Sequence, residues 1–419
     1  MIRAALSKSK FAKNVLTLMT GTGVAQIIPL AISPLLTRLY SPNEFAVFAM
    51  YSAILAIFSV IACLRFEIAI PIPNEEKEAF ELVLLAVISN IFFTILVSFV
   101  IAFFTAQIGT ITDHKLDGYL WMIPAGAFLS GGYAAFQYWA TRKRNFSKVA
   151  RTRVAQSLGC GFTQLGLGFY GYTPLGLLLG SLFQAGAGVI SLGGLFFKDV
   201  KHLVKNIKLN DIKKTFIRYD KFPKYSTWEA LANSAGIQIP VILIATYTIG
   251  GEAGFLMLAM RLMSTPMSLI GGAVSQVFLA EAPLKHQTGE LRTFTLNTAW
   301  SLFKIGIIPI LGIGVLAPFL IPIIFGENWA RAGDMITWMA PWFLMQFVTS
   351  PISMSLHIVN KQRVAFILQL FGVGFRVVCV YSAMLYFKDF IVEAYAVSGF
   401  IFYVIYFMAV KKSLAECGY

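Results

Sequence analysis

The chain has 419 residues, of which 57% are hydrophobic and only 13% charged, with a formal net charge of +14. A mean hydropathy of +0.72, with charge this far below the ~25% usual in soluble domains, excludes a soluble globular protein. The basic residues stand between apolar runs and not on one polar face, so they point to orientation in a membrane and exclude nucleic acid as a partner.

A helix needs ~20 apolar residues to cross hydrocarbon. Arg3, Lys8, Lys10 and Lys13 precede the first apolar run, which is too long for a signal-peptide core and is followed by further spans, so it is expected to stay attached. Spans are predicted over 14–36, 45–64, 80–104, 119–140, 154–170 and 174–197. The stretch 154–197 holds no Asp, Glu, Lys or Arg, and Gly171, Tyr172, Thr173 and Pro174 break it in two. Residues 198–224 are too polar to enter hydrocarbon, with Lys198, Lys201, Lys205, Lys208, Lys213, Lys214, Arg218, Lys221 and Lys224 set against Asp199, Asp211 and Asp220. Leu203, Val204, Ile207, Leu209, Ile212, Phe216 and Ile217 fall between these charges. The segment therefore reads either as an amphipathic helix on an anionic leaflet or as a solvated hinge. Six more spans follow, over 226–249, 253–280, 300–325, 332–357, 364–387 and 391–410.

The expected organisation is an N-terminal bundle at 1–197, a basic cytoplasmic linker at 198–224, and a C-terminal bundle with a short cytoplasmic tail at 225–419. With both termini cytoplasmic, 27 of the 34 Lys and Arg residues fall on that side. Only Arg38, Lys115, Arg331 and Lys388 fall on the other. A weak internal repeat joins Phe11, Lys13, Gln26 and Pro29 to Phe222, Lys224, Gln238 and Pro240, with Glu44 and Glu252 following in the short loops. Parallel repeats of this kind predict an all-α integral membrane protein of twelve transmembrane helices. These form two six-helix pseudo-symmetric bundles around a central cavity, worked by alternating access.

A charge at mid-bilayer costs ~2.5–3.5 kcal/mol on insertion scales, so one that persists faces a protein interior or water. Arg261, Arg376 and Lys304 fall within predicted spans. Arg376 is expected to face a cavity, Arg261 faces a cavity or snorkels outward, and Lys304 reaches the interface readily but stays among the candidates. Arg65 and Glu67 close span two. They form either an interfacial pair or a guanidinium that meets phosphate with its carboxylate partner. Arg38, at the outer end of span one, offers an anion a second station or snorkels. Gln156, Gln164, Gln184, Asn233, Gln238, Gln276, Gln346, His357 and Gln369 are expected to pair across helices or, where wet, to suit sugars. The glycines between 159 and 188 permit close helix packing, and Pro29, Pro34, Pro240, Pro266 and Pro309 interrupt spans.

Cys63, Cys160, Cys379 and Cys417 stand singly and read as small core residues. His114, His202, His286 and His357 are dispersed, so no metal site or His-based catalytic group is predicted. There is no phosphate-binding Walker pattern, no cofactor is expected, and the short outer loops offer no catalytic constellation of an enzyme.

Several motifs are similar to those of the Wzx-type flippases of the O-antigen and polysaccharide biosynthesis family, in the superfamily that also holds lipid II flippases and MATE drug exporters. They are Leu35-Leu36-Thr37-Arg38-Leu39-Tyr40-Ser41-Pro42-Asn43-Glu44-Phe45 and Leu64-Arg65-Phe66-Glu67 with Ala69-Ile70. In the second half they are Ser275-Gln276-Val277-Phe278, Phe325-Gly326-Glu327-Asn328-Trp329 with Ala332-Gly333, and Pro351-Ile352 leading to Lys361-Gln362-Arg363. The resemblance spans nearly the whole chain. It implies translocation of an undecaprenyl diphosphate-linked oligosaccharide across the bacterial inner membrane through a cationic cavity. By span, Arg38, Arg65 and Arg261 match the arginines that related lipid II flippases use for the diphosphate. The expected substrate-binding set is Arg65, Arg261, Arg376, Arg38, Glu67 and Lys304. Expected partners are the lipid-linked oligosaccharide, membrane lipids, and a polysaccharide polymerase with its chain-length regulator. The competing readings are a MATE-like exporter of cationic drugs, which wants intramembrane carboxylates, and a membrane polysaccharide polymerase.

Overall fold

The computed structural model describes residues 2–203, 208–248, 250–359 and 361–416, without the side chains of 2–19, 273, 276 and 280. The side chains of Arg3, Lys8, Lys10, Phe11, Lys13 and Gln276 therefore lie outside the described residues, as do Val204, Lys205, Ile207 and Cys417. Among the described residues there is no strand. Twelve long helices carry the fold. They are α1 (Ile2–Leu39), α2 (Pro42–Ile61), α3 (Glu76–Phe103), α4 (Met122–Arg142), α5 (Phe146–Phe169) and α6 (Leu175–Val200), then α7 (Thr227–Tyr247), α8 (Glu252–Gln287), α9 (Leu291–Phe325), α10 (Ala330–Ile352), α11 (Gln362–Tyr386) and α12 (Ile391–Glu416). Among the described residues nine candidate spans are long and apolar enough to cross a membrane. Only α4, α5 and α10 are more polar, and α5 carries Lys148, Arg151 and Arg153 in its first turns.

Several helices overrun the apolar windows. α5 starts at Phe146 and not at 154, α9 starts at Leu291 and not at 300, and α8 continues to Gln287 past 280. Hydropathy registers the part of a helix that suits hydrocarbon, whereas the hydrogen-bonded helix extends into polar surroundings where charged residues are good helix formers. The window 332–357 is in fact two pieces, α10 and a separate short helix Ser355–Ile358.

The chain forms two compact units, Met1–Tyr40 with Tyr51–Ser234, and Ser41–Met50 with Ala235–Tyr419. In the first unit α1 and α5 run parallel. Arg153 Nη1 donates to Thr22 Oγ1 (2.7 Å), Ser157 Oγ to the Ala25 carbonyl (2.7 Å), and Tyr40 Oη to the Gln164 carbonyl (2.6 Å). The glycines of α5 and α6 allow this closeness. A Cβ on Gly176 would come 2.1 Å from Tyr40 Oη, and one on Gly180 would come 2.4 Å from Gln164 Cγ. Gln164 is only 2% exposed and donates to the Leu177 carbonyl (3.2 Å), so this amide ties helices together.

The core at the other flank of the unit joins α3, α4 and α6 through Phe80, Leu82, Trp139 and Phe196, with Phe66 and Ile70 from the short helix Phe66–Ala69 and its end. Asn90 Nδ2 of α3 donates to the Phe128 carbonyl of α4 (2.8 Å). At the end of α4, Arg142 donates to carbonyls of Ile70, Pro73, Asn74 and Glu75, and Lys143 pairs with Glu76 (2.6 Å). These bonds fasten the loop that leads into α3.

Part of the polar central segment is folded onto this unit. The helix Leu209–Arg218 lies against α3, with Lys77 Nζ to Asp211 Oδ2 at 2.6 Å, Thr215 Oγ1 to Glu81 Oε2 at 2.5 Å and Arg218 Nη1 to Glu78 Oε1 at 2.8 Å. Ile212, Tyr219 and Phe222 pack on the core cluster, while Leu209 and Ile217 stay exposed.

The second unit repeats the pairing of the first, displaced by six helices. The contacts α3–α4, α4–α6 and α5–α6 recur as α9–α10, α10–α12 and α11–α12. The α1–α5 pairing recurs as α7–α11, where a Cβ on Gly236 would sit 3.2 Å from Val373. The order of helix pairing is thus the same in the two halves, as the weak sequence repeat leads one to expect. The first turns of α2 belong to this unit. There Phe45 meets Trp329 edge-on (centroids 4.8 Å apart), and Phe255 closes on the same indole (5.7 Å).

Candidate functional site

In the first unit, Leu64 and Arg65 both take left-handed backbone (φ 49° and 62°), a conformation that costs non-glycine residues roughly 1–2 kcal/mol each. The cost is offset by what the turn achieves. It inserts Phe66, Ala69 and Ile70, spaced i, i+3, i+4, into the core and leaves Arg65 and Glu67 beside one another. Arg65 Nη1 lies 3.9 Å from Glu67 Oε1, with side-chain exposures of 27% and 8%. Arg65 Nε and Glu67 Oε2 are buried without a hydrogen-bond partner among the described residues. Burial pushes the Glu67 carboxyl above its usual range, and Arg65 offsets this only in part. The Cys63 thiol, buried one turn earlier, is raised as well by burial and then by Glu67.

Tyr138 of α4 lies within electrostatic reach of Glu67, Arg65 and Arg153. Arg153 is thus a third charged member of the neighbourhood, held by Thr22 of α1. The sequence grouped it with the basic cluster at 142–153. A stretch read as a loop hides the helical phase that turns one arginine inward, and that phase was the missing signal. Together these groups can attract an anion: two guanidiniums and one phenol, with the Glu67 carboxyl group beside Arg65.

The other candidates are dispersed. Arg38 is exposed at the end of α1, over an apolar groove formed with Leu35, Leu39, Leu165, Phe169 and Tyr170. Lys304 is exposed on α9 with its Nζ 5.2 Å from the ring centre of Trp300, the arrangement of an interfacial anchor. Arg261 is half-buried on α8.

Arg376, expected to face a cavity, is instead 3% exposed. Its guanidinium carbon lies 4.5 Å from the Phe402 ring centre, 5.5 Å from Trp342 and 5.6 Å from Tyr403, and Nη1 donates to the Gly236 carbonyl (3.2 Å). A cation at this depth is tolerated because three ring faces and a carbonyl replace its water.

The second unit also holds a polar cavity of about 780 Å³, lined by Tyr247, Thr248, Glu252, Arg331, Lys388 and Asp389 among others. Arg331 bridges Glu252 (Nε to Oε1, 3.3 Å) and Glu393 (Nη2 to Oε1, 2.7 Å), and so joins α8, α10 and α12. Sequence reasoning counted Arg331 only as a loop charge and did not single out Glu393. Among the described residues no three His, Cys, Asp or Glu side chains are placed to hold a metal ion.

The fold of this multi-pass helical membrane protein, with its two units of repeated pairing, is shared by solved structures of transporters. The chain matches an inward-closed lipid II flippase MurJ with a TM-score of 0.73 at 15% identity, covering 96% of this chain and 89% of that one. An inward-facing MATE multidrug resistance transporter of the MOP superfamily matches with a TM-score of 0.62 at 13% identity, over 96% and 94% of the two chains. A MOP superfamily transporter from Pyrococcus furiosus, described as having a binding pocket of reverse polarity, matches with a TM-score of 0.59 at 14% identity, over 96% of each chain. At such identities the likeness is one of fold. No curated protein matches the sequence. The model of the polysaccharide biosynthesis protein family matches residues 35–334, and the chain belongs to that family.

Proposed function

We propose that this protein is a flippase that moves undecaprenyl diphosphate-linked oligosaccharide repeat units across the bacterial inner membrane for O-antigen or other surface polysaccharide. Family membership over 35–334, in a chain with the fold of MOP transporters, carries this reading. The chemistry of the side chains supports an anionic cargo, because the half-buried cations Arg65, Arg153 and Arg261 are guanidiniums suited to paired phosphate oxygens. Coulomb attraction to a diphosphate is stronger in partly dry surroundings than in water. In this proposal Arg65, steadied by Glu67, and Arg153 receive the diphosphate in the first unit, Arg261 receives it in the second, and Arg38 is a later station. Arg376 holds helices together and Lys304 anchors α9 at the interface. The mechanism is alternating access, with both termini cytoplasmic by the distribution of Lys and Arg.

The test is complementation of a strain lacking the gene. Arg65→Gln and Arg261→Gln should each lower surface polysaccharide at least tenfold while the variant protein reaches the membrane at the normal level. Wild-type glycan display in both variants would overturn the site. Export of cationic drugs is the second reading, since MATE structures match over the same length. It ranks lower because the buried carboxylates Glu67 and Glu393 each stand beside an arginine. Heightened drug sensitivity of the deletion strain, with normal glycan, would favour it.

A further inference from the structure

Of the cations between 142 and 153, Arg142, Lys143 and Arg153 are engaged by carbonyls, Glu76 and Thr22. Lys148 and Arg151 are not so engaged. They line a cavity of about 450 Å³ where α5 meets α6, together with Asn145, Ser147, Thr152, Ala155, Ala187 and Ser191. Among the described lining residues none is acidic, and no described carboxylate pairs with either cation. Lys148 and Arg151 are three residues apart on one helix face, so they repel each other. They also sit in the first turns of α5, where the helix dipole disfavours positive charge and no acidic residue compensates. A bound anion would relieve both costs.

What lies beyond the cavity selects the kind of anion. α5 and α6 are antiparallel neighbours, with Phe183 covering Gly159. Following α5 away from Arg151 along the same face leads past Ala155 to Leu158 and Phe162, which are 40% and 72% exposed. Following α6 from Ser191 leads past Ala187 to Phe183, 47% exposed. A charged, hydroxyl-bearing head end therefore continues into exposed apolar side chains further along the same faces of α5 and α6.

We infer that this cavity is a binding site for an anionic phospholipid, with the phosphate between Lys148 and Arg151, hydroxyl contacts from Ser147 and Ser191, and an acyl chain along Leu158, Phe162 and Phe183. The inference is independent of the cargo, because Arg65, Arg153 and Arg261 play no part in it. Basic pockets at helix ends that face a negatively charged leaflet are suited to such head groups, each cation contributing on the order of 1 kcal/mol.

The full-length protein is purified in detergent doped with phosphatidylglycerol or phosphatidylcholine, and retained lipid is read by native mass spectrometry. Wild type should retain phosphatidylglycerol and not phosphatidylcholine. The double variant Lys148→Gln/Arg151→Gln should bind it about 30-fold more weakly, the combined weight of two basic side chains. Lys411→Gln/Lys412→Gln, at the exposed C-terminal end of α12, should retain it as wild type does. Leu158→Asp should weaken phosphatidylglycerol while leaving the cations in place. Equal retention in the Lys148/Arg151 double variant overturns the proposal, and so does full displacement of the lipid by inorganic phosphate at equal concentration, which would mark a site for the free ion. If the double variant fails to fold, the Leu158→Asp result decides.

Discussion

A buried carboxyl with one guanidinium 3.9 Å away and one oxygen without a partner is poorly placed to be charged, and Glu67 is such a group. Its folded-state pKa lies above the usual 4.5, chiefly through burial. An acid with a raised folded pKa binds its proton more tightly in the native state. Its stabilising contribution is complete below about 4.5 and is lost as pH climbs through the raised value. Glu67→Gln should remove that loss. The variant should melt at a higher temperature than wild type at pH 7, by about 2–4 °C for each kcal/mol recovered, and the difference should shrink as pH falls toward 4.5. Thermal melts of detergent-purified protein across this pH range test it. A constant difference would mean that Glu67 titrates normally.

Helices are the scale at which Arg376 acts. It projects from α11 to Gly236 on α7, Trp342 on α10, and Phe402 and Tyr403 on α12. Arg376→Ala should cost at least about 2 kcal/mol, the worth of a desolvated cation–π contact, and it leaves a cavity besides. A matching fall in melting temperature and in membrane yield is expected, with Arg376→Lys intermediate because an ammonium does not present the planar face that stacks on rings. At this scale the sequence was informative where hydrophobicity alone decides: the twelve helices were legible. Helix ends were not, because 146–153 and 291–299 are helical without being apolar. The close packing of α5 on α6 was legible in their glycines, while the partner that needs the space, Tyr40 just past the end of α1, was not, since it lies 124 residues from Gln164 in the chain.

For the whole molecule, class and family could be read from composition and a few motifs, but a motif does not announce its task. Phe45 and Trp329, which helped to mark the family, are packing partners. Arg376, chosen because an arginine in a span is costly, turned out to be paired with rings that no charge count reveals. Arg153 was overlooked because being basic among basics is no distinction. What periodicity and charge cannot supply is the direction in which a side chain points, and that is decided by contacts distant in sequence.

The docked helix Leu209–Arg218 bears on how the gene can be divided. Ionic grips on Glu78 and Lys77, a hydrogen bond from the Thr215 hydroxyl to Glu81, and apolar cover from Ile212 make it a lid over the Phe66 and Phe80 cluster. Two open reading frames split after Phe197 would strip that lid from the first polypeptide and attach it to the second. A split after Tyr219 keeps it where it belongs. Co-expressed pairs divided at 219 should accumulate severalfold better than pairs divided at 197, and equal yields would show that the core of the first unit closes without help from this helix.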